Sequence, residues 1–286
     1  VGNMGSPTAG ATLPLITEKK IPHLAPLTAA TMFYEPFNRY SYQAWLPYYS
    51  QARNLIKYFV EEKKYKKIGV LYQDDEMGDI MMKGLKDQMT VYKLELTAAE
   101  SYKRGATEFS AQIANLQKAG VELVVLATVV RETVGALKQA NKVGWKVDMV
   151  GMTPAFTKQV TDLAGELAEG FYCIGQTPHP YSDSEDPFIR DWFKKYQEWY
   201  GKVADLPVTA GYIALEQFAE GARRAGKDLT REKLIDAIDT FRDVPDPFGG
   251  PPITYTSTNH LGTERAFMAQ VKNGKFVKIS GFISYK

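Results

Sequence analysis

The sequence predicts an α/β protein with parallel sheets, and three observations favour this fold class. Short apolar runs such as 68–72 are each bounded by a polar loop and followed by helical periodicity, which is typical of βαβ units. The run 121–130 is the most apolar in the chain, as expected for a central parallel strand. The same order of strand, loop and helix recurs along most of the 286 residues, and this recurrence predicts doubly wound sheets.

The chain opens with residues that predict the end of a strand and then a helix. Residues 1–4 suit a strand end, while Ser6 suits the N-cap of a helix and Pro7 its first position. This helix is expected to extend to Lys20. A parallel sheet that opens on the end of a strand predicts that the chain is a fragment of a longer protein.

The next predicted strand, 21–26, leads into a loop at 27–31 whose small and polar residues would let a ligand approach the backbone. Residues 33–45 are aromatic and irregular, and prolines interrupt any helical pattern there. This change of composition predicts a crossing between two lobes. A helix at 48–64 follows, with its apolar residues at the spacing of a buried face.

The middle of the chain predicts one doubly wound lobe. Its loops at 73–78 and 152–156 each follow a strand, and open parallel sheets bind ligands outside the carboxyl ends of their strands. We therefore expect these loops to carry functional residues. In chain order, the predicted strands are 68–72, 91–96, 121–130, 147–151 and 170–175, and the predicted helices are 79–90, 107–120, 131–143 and 157–165.

The last third predicts further helices, two more crossings and a terminal hairpin. The Pro-rich stretches 177–181 and 244–252 are expected to cross between lobes. Asn273 and Gly274 lie between two alternating runs, which is a strong hairpin signal. The predicted helices are 187–200, 208–226 and 230–241, and the predicted hairpin strands are 266–272 and 275–279.

Composition and motifs exclude several functional classes. A net charge of +2 provides no strong field for nucleic acid, and no apolar run reaches the roughly eighteen residues of a membrane span. Cys173 is the only cysteine, so neither an internal disulfide nor a zinc cluster is predicted. The chain lacks a P-loop, a Gly-x-Ser-x-Gly elbow, a His-Glu-x-x-His helix and a Gly-x-Gly-x-x-Gly turn.

Two groups of polar residues deserve a chemical interpretation. His23, His179 and His260 are too scattered in sequence to predict a shared metal site. Asp74, Asp75 and Glu76 are adjacent and could hold a cation or act as acid and base, although a solvated loop is the better interpretation. The sequence thus predicts a binding protein rather than an enzyme, and no cofactor.

Several local phrases occur in an order that resembles one family of binding proteins. They are 1–8, 21–26, the strand and acidic loop at 68–78, 107–113, and 270–277. In this set the chain resembles the type I periplasmic solute-binding proteins of the leucine/isoleucine/valine-binding branch.

The resemblance implies two doubly wound parallel-sheet lobes joined by three crossings, with the ligand enclosed between the lobes by a hinge motion. It also implies that on the order of two βα units precede this chain. The implied crossings lie near 40–47, 176–182 and 249–256; the implied lobes are 1–44 with 180–250, which is incomplete, and 45–179 with 251–286.

The resemblance also implies where the ligand carboxylate is held. In the family, a serine in one loop and backbone groups in a second loop bind it, and the matching positions are Ser6 and the stretch Leu27, Thr28 and Ala29. Amides at a helix start together with a hydroxyl form an anion site without a formal charge. A plain N-cap role for Ser6 remains an alternative.

Three matched positions depart from the amino-acid-binding pattern. Met77 stands where the family often has tyrosine, Val129 or Val130 replaces a second aromatic residue, and Thr153 lies where amino-acid binders carry a carboxylate for the ligand ammonium. A buried ammonium without a partner is strongly disfavoured, so the predicted ligand lacks one. Met77, Val129, Val130 and Phe156 are expected to line an apolar wall instead, although Met77 and Phe156 are equally compatible with core positions. Further candidates near the cleft are Tyr42, Trp45 and Tyr212.

The sequence therefore predicts a periplasmic or membrane-tethered receptor of an ABC-type importer that binds a small aromatic or aliphatic carboxylate. Its partners would be that ligand and the membrane permease subunits, without nucleic acid. Alternatives are a branched-chain amino-acid binder that uses Asp74, Asp75 or Glu76, and the ligand-sensing domain of a receptor or regulator.

Overall fold

The computed structural model describes residues 3–286, so Val1 and Gly2 of the predicted first strand lie outside the described residues. In chain order the helices are α1 (Ser6–Glu18), α2 (Tyr48–Glu61), α3 (Glu76–Val91), α4 (Ser110–Lys118), α5 (Val130–Lys142), α6 (Lys158–Ala164), α7 (Pro187–Tyr200), α8 (Leu206–Ala225) and α9 (Arg231–Ile238). The strands are β1 (His23–Leu24), β2 (Ser41–Tyr42), β3 (Ile68–Gln73), β4 (Ala98–Tyr102), β5 (Leu123–Ala127), β6 (Asp148–Gly151), β7 (Tyr172–Gly175), β8 (Phe267–Lys272) and β9 (Lys275–Lys278).

The chain divides into two compact units, which we call unit 1 and unit 2. Unit 1 contains residues 3–47 and Thr177–Glu264, and unit 2 contains Tyr48–Gln176 and Arg265–Lys286. The segment 251–264, which the implied lobes assign elsewhere, belongs to unit 1 because its backbone pairs there. Ile253 pairs with Val244.

Unit 2 is built on a seven-stranded sheet with the order β4-β3-β5-β6-β7-β8-β9. The pairs among β3 to β7 are parallel, whereas β8 and β9 add an antiparallel hairpin. The side chains of β5 are fully buried, as a central parallel strand requires. The parallel-dominated α/β sheet is therefore as predicted.

The core of unit 2 lies on the faces of this sheet. One face carries a cluster that includes Val124, Leu126, Phe156 and Phe171. The predicted apolar face of α2 is also buried, with Leu55 exposing none of its surface. Burying these side chains is the main favourable term in folding this unit.

Unit 1 has far less regular strand structure among its described residues. β1 and β2 form a short parallel pair, and isolated parallel bridges extend it at Met4 with Leu27 and at Gln43 with Leu261. Its largest core clusters form around Tyr42 and Tyr255 and around Trp45, Ile213 and Phe248.

Two predicted elements differ from the structure in unit 2. The strand predicted at 91–96 is wrong: Val91 ends α3, Lys93 has a φ of 56° and the Leu94 N–H donates back to the Met89 oxygen at 3.0 Å. The chain therefore turns before the real strand begins. The long run 121–130 also ends early, because Val130 already begins a helix.

Candidate functional site

Ser6 is the first residue of α1, and its side chain faces the loop that carries Thr28. Gly5 is the N-cap, with a φ of 90°, and as a glycine it has no side-chain group to cap the helix, while its N–H donates to the Leu27 oxygen at 3.0 Å. The predicted N-cap role of Ser6 is therefore wrong, since Ser6 is the first helical residue. Its Oγ lies 2.7 Å from Thr28 Oγ1. Because Ser6 does not cap α1, its hydroxyl can bond to Thr28 in the neighbouring loop.

The two hydroxyls form a pair with one proton left over. Thr28 is buried at 5% exposure, and its Oγ1 also accepts the Ala30 N–H at 3.3 Å. Whichever hydroxyl donates to the other, the second O–H remains able to donate to an anion. The first turn of α1 adds N–H groups that have no partner within the helix. The Ser6–Thr28 hydroxyl pair is thus suited to a carboxylate.

The backbone of the predicted second loop is mostly engaged. The Leu27 N–H donates to the Asn3 oxygen at 2.7 Å and the Thr28 N–H donates to the Pro26 oxygen at 2.8 Å. Ala29 is buried at 4% exposure. The amides of Leu27 and Thr28 are therefore already hydrogen-bonded within the chain, which leaves the Thr28 hydroxyl as the polar group of these two residues that a ligand could meet.

The aromatic candidates of unit 1 lie in its core. Tyr212, on α8, is half-buried, and its ring centroid lies 5.6 Å from that of Phe248; burial raises the pKa of Tyr212. Tyr42 is fully buried and donates its hydroxyl to Asp239 at 2.7 Å. Trp45 donates its indole N–H to the Ala25 oxygen at 3.3 Å. These contacts give all three side chains a packing role.

In unit 2 the predicted wall residues follow β3 and β5. Met77 lies in the first turn of α3, Val129 is the N-cap of α5 and Val130 begins that helix. All three are half-buried. Because β3 and β5 are parallel neighbours, their carboxyl ends meet at one edge of the sheet, and this edge presents apolar surface.

The acidic loop after β3 has a structural role. Asp75 caps α3, because its Oδ1 accepts the Met77 and Gly78 N–H groups at 3.1 and 3.2 Å. This cap is why the helix begins three residues before the predicted start. Asp75 also pairs with Arg104 at 3.0 Å, and Asp74 pairs with Lys103. Both carboxylates are therefore already neutralised by cations.

The loop after β6 contains a short 3₁₀ helix at Thr153–Ala155. The Thr153 N–H donates to Gln51 Oε1 at 3.0 Å. Phe156 is only 1% exposed, and its ring lies 4.8 Å from that of Phe276 and 5.9 Å from that of Phe267. Its position corresponds to the core alternative that the sequence left open.

One polar residue at this edge was missed by the sequence analysis. Glu132, in the first turn of α5, is 2% exposed and accepts one bond from Arg131 at 2.7 Å. Its Oε2 has no hydrogen-bond partner within residues 3–286. Burial, and next the Glu132 charge, raise the pKa of Tyr102. The only sequence signal for Glu132 is an acid soon after an apolar strand, which is also common on exposed helix starts.

Neither a metal-binding cluster nor a membrane-spanning helix occurs in the part of the chain that the structure describes. No group of three or more histidine, cysteine or acidic side chains there is arranged to hold a metal ion. None of the described helices combines the length and apolar character needed to cross a bilayer.

Residues 1–275 match a family described as "Periplasmic binding protein". The chain is 23% identical over 227 residues to the Leu/Ile/Val-binding protein homolog 8 of Brucella abortus, covering 77% of this chain and 55% of that protein. It is 26% identical over 183 residues to a leucine-, isoleucine-, valine-, threonine- and alanine-binding protein of Pseudomonas aeruginosa, covering 64% and 48%. The chain thus spans about half the length of these curated relatives.

Solved structures share the fold. A branched-chain amino acid ABC transporter protein of Thermus thermophilus with bound valine matches with a TM-score of 0.86 at 24% identity, covering 99% of this chain and 77% of that one. A fatty acid ABC transporter substrate-binding protein of Thermomonospora curvata matches with a TM-score of 0.86 at 21% identity, covering 99% and 74%. The predicted fold class is confirmed by these similarities.

Proposed function

This chain belongs to the periplasmic binding protein family, and on that premise we propose that it is the solute-binding receptor of an ABC-type importer. Its ligand is a small aromatic or aliphatic carboxylate without an ammonium group. Its place is the periplasm, and its protein partners are the permease subunits of the importer. The family is one of binding proteins, in agreement with the prediction of binding rather than catalysis.

The observation that carries this proposal is the Ser6–Thr28 hydroxyl pair at the start of α1, with its 2.7 Å separation. A hydroxyl donor and helix amides stabilise an anion without the desolvation cost of burying a cation. Hydrogen bonds to charged groups are worth about 1.5–3 kcal/mol each. The Ser6–Thr28 hydroxyl pair would therefore orient the carboxylate of a ligand and add to its binding affinity.

Two features of unit 2 support a ligand without an ammonium group. The loop 152–156 contains no acid, and the neighbouring loops present Met77, Val129 and Val130. These side chains suit an aliphatic or aromatic body rather than a charged group. The similar structure from Thermomonospora curvata is described as a fatty acid ABC transporter substrate-binding protein, which supports a ligand of this class.

A second candidate ligand is a branched-chain amino acid, and Glu132 favours it. This carboxylate is buried and one of its oxygens has no partner among the described residues. A ligand ammonium would satisfy that oxygen. The similar structure from Thermus thermophilus holds valine. Glu132 thus replaces Asp74, Asp75 and Glu76 as the best acid for this alternative.

Calorimetry on protein freed of co-purified ligand separates the two candidates. The probes are hexanoate, benzoate and leucine, titrated into the wild type and into Glu132→Gln. We expect tight binding of hexanoate or benzoate, weak binding of leucine, and little effect of Glu132→Gln on the acids. Leucine binding that is tight in the wild type and lost in Glu132→Gln would replace the organic acid by the amino acid. If none of the three probes binds at millimolar concentration, the proposal that this chain is a receptor for small carboxylates is refuted.

A further inference from the structure

Gln43 is a fully buried polar residue directly after β2 in unit 1. Its backbone is fixed on both sides, because its N–H donates to the His260 oxygen at 2.8 Å and its oxygen accepts the Gly262 N–H at 2.8 Å. The side chain therefore starts from a rigid position, and its direction is set by the fold.

The side-chain amide of Gln43 bridges two backbone groups. Its Nε2 donates to the Thr28 oxygen at 2.9 Å, and its Oε1 accepts the Trp45 N–H at 3.1 Å. A carbonyl can only accept and an N–H can only donate, so these partners fix the orientation of the amide. Only a residue with a donor and an acceptor at this length satisfies both.

Gln43 holds Thr28, which carries one of the two hydroxyls of the proposed carboxylate site. Thr28 presents its Oγ1 to Ser6 at 2.7 Å, while its backbone oxygen is held from the other side by Gln43. The carbonyl and the side chain of Thr28 branch from the same Cα, so holding the carbonyl restrains the backbone position from which the hydroxyl projects. A binding group must be held within a fraction of an ångström by its neighbours to work well.

We infer that Gln43 is a positioning residue for the ligand carboxylate, which it affects only through Thr28. This inference rests on the proposed function, because it assigns a role within the same carboxylate site. It does not depend on whether the ligand is an organic acid or an amino acid, since both present a carboxylate.

The decisive variant is Gln43→Glu, measured across pH. An ionised glutamate has no proton to donate and places a negative oxygen against the Thr28 carbonyl, whereas a protonated glutamate can donate its O–H there. We expect the affinity for the tightest-binding probe among hexanoate, benzoate and leucine to fall at least about tenfold near pH 8, as when one good hydrogen bond is lost. The affinity should recover as the pH falls towards about 5, a recovery that the wild type does not show.

Gln217→Glu is the matched control. Gln217 is also a buried glutamine of unit 1, at 5% exposure, and its Oε1 lies 3.5 Å from the Tyr255 hydroxyl. Its substitution introduces the same charge into the same unit, and it should lower the melting temperature without changing affinity. If Gln43→Glu does not fold, Gln43→Met replaces it, with weaker binding expected and no recovery at low pH.

Ser6→Ala, measured in parallel, separates failure of the inference from failure of the proposed function. Weaker binding in Ser6→Ala together with wild-type affinity in both Gln43 variants would overturn the positioning role alone. Wild-type affinity in Ser6→Ala would overturn the carboxylate site itself. If Gln217→Glu and Gln43→Glu lost affinity equally, Gln43 would only stabilise the unit in general, and the positioning role would be overturned.

Discussion

The two units hold their candidate ligand residues by different forces. In unit 1, Ser6 and Thr28 are held by hydrogen bonds to each other and, through Gln43, to the backbone. In unit 2, Val130 packs against the apolar core cluster to which Phe156 belongs. The contrast teaches that substituting Ser6 or Thr28 in unit 1 should change affinity more than stability, and substituting Phe156 in unit 2 the reverse.

The largest expected effect is that of Phe156→Ala on stability. The ring is fully enclosed by Phe267 and Phe276, and adding a Cβ to Gly175 would bring it within 3.0 Å of Phe156. Truncating such a ring removes buried area and leaves a cavity, which costs about 3–5 kcal/mol. Urea denaturation followed by tryptophan fluorescence, to which Trp145 contributes from unit 2, should record this loss.

Phe282→Ala is the control for this prediction. Phe282 belongs to the same unit but is 39% exposed, so its truncation should cost well under half as much. If Phe156→Ala kept the free energy of unfolding and lost ligand affinity instead, Phe156 would be a wall of the ligand site after all. The contrast between the units would then fail.

The second prediction concerns stability at acidic pH, which should fall in unit 1 because the histidines lie there. His23, His179 and His260 all lie in unit 1. His23 is 3% exposed, neither ring nitrogen has a hydrogen-bond partner within residues 3–286, and burial lowers the pKa of His23 from 6.5 to about 4. The folded state therefore binds fewer protons than the unfolded state between these two pKa values.

The stability that neutral His23 allows is present above pH 6.5 and is lost as the pH falls towards about 4. At about 1.4 kcal/mol per pKa unit, the loss is about 2 kcal/mol near pH 5 and up to about 3 kcal/mol near pH 4. Hydrogen exchange read by mass spectrometry, corrected for intrinsic rates, should show unit 1 peptides opening in this window. In His23→Leu that opening should be reduced, and identical pH profiles in the two proteins would contradict the assignment.

The sequence predicted the terminal hairpin of unit 2 because the signal for this hairpin is local. The hairpin turn needs left-handed residues, and Asn273 and Gly274 have φ values of 52° and 73°, which their residue types favour. The strand predicted at 91–96 failed for a tertiary reason, since α3 continues to Val91 and the chain then reverses. Local β-propensity cannot report that reversal.

The candidate site was less accessible to prediction, because its contacts join distant parts of the chain. Ser6 was found through the family resemblance, but its pairing with Thr28 and the support from Gln43 depend on packing that no local pattern encodes. Glu132 was missed because its burial arises only when α5 packs on the sheet. An acidic residue at the start of a helix is equally compatible with an exposed position, so the sequence alone could not predict that Glu132 is buried.

The smallest effect expected is the most specific, and it belongs to Ser6→Ala. Removing the hydroxyl deletes one donor to the ligand carboxylate and leaves Thr28 with its bond from Ala30, so affinity should fall by about 1.5 kcal/mol, or about tenfold. Stability should change by less than about 1 kcal/mol, because Ser6 is half-buried and does not cap the helix. Calorimetry with the tightest-binding probe and thermal unfolding of the same samples measure both quantities.

Thr17→Ala gives the matched comparison for Ser6→Ala. Thr17 lies on the same helix, and its hydroxyl donates to the Leu13 oxygen at 2.9 Å, so the substitution also deletes one hydroxyl from α1. It should leave affinity unchanged, because Thr17 lies in the last turn of the helix, away from Thr28. Equal affinities in the two variants would mean that α1 contributes no specific donor. Unit 1 would then hold its ligand, as unit 2 is expected to, mainly through apolar contact.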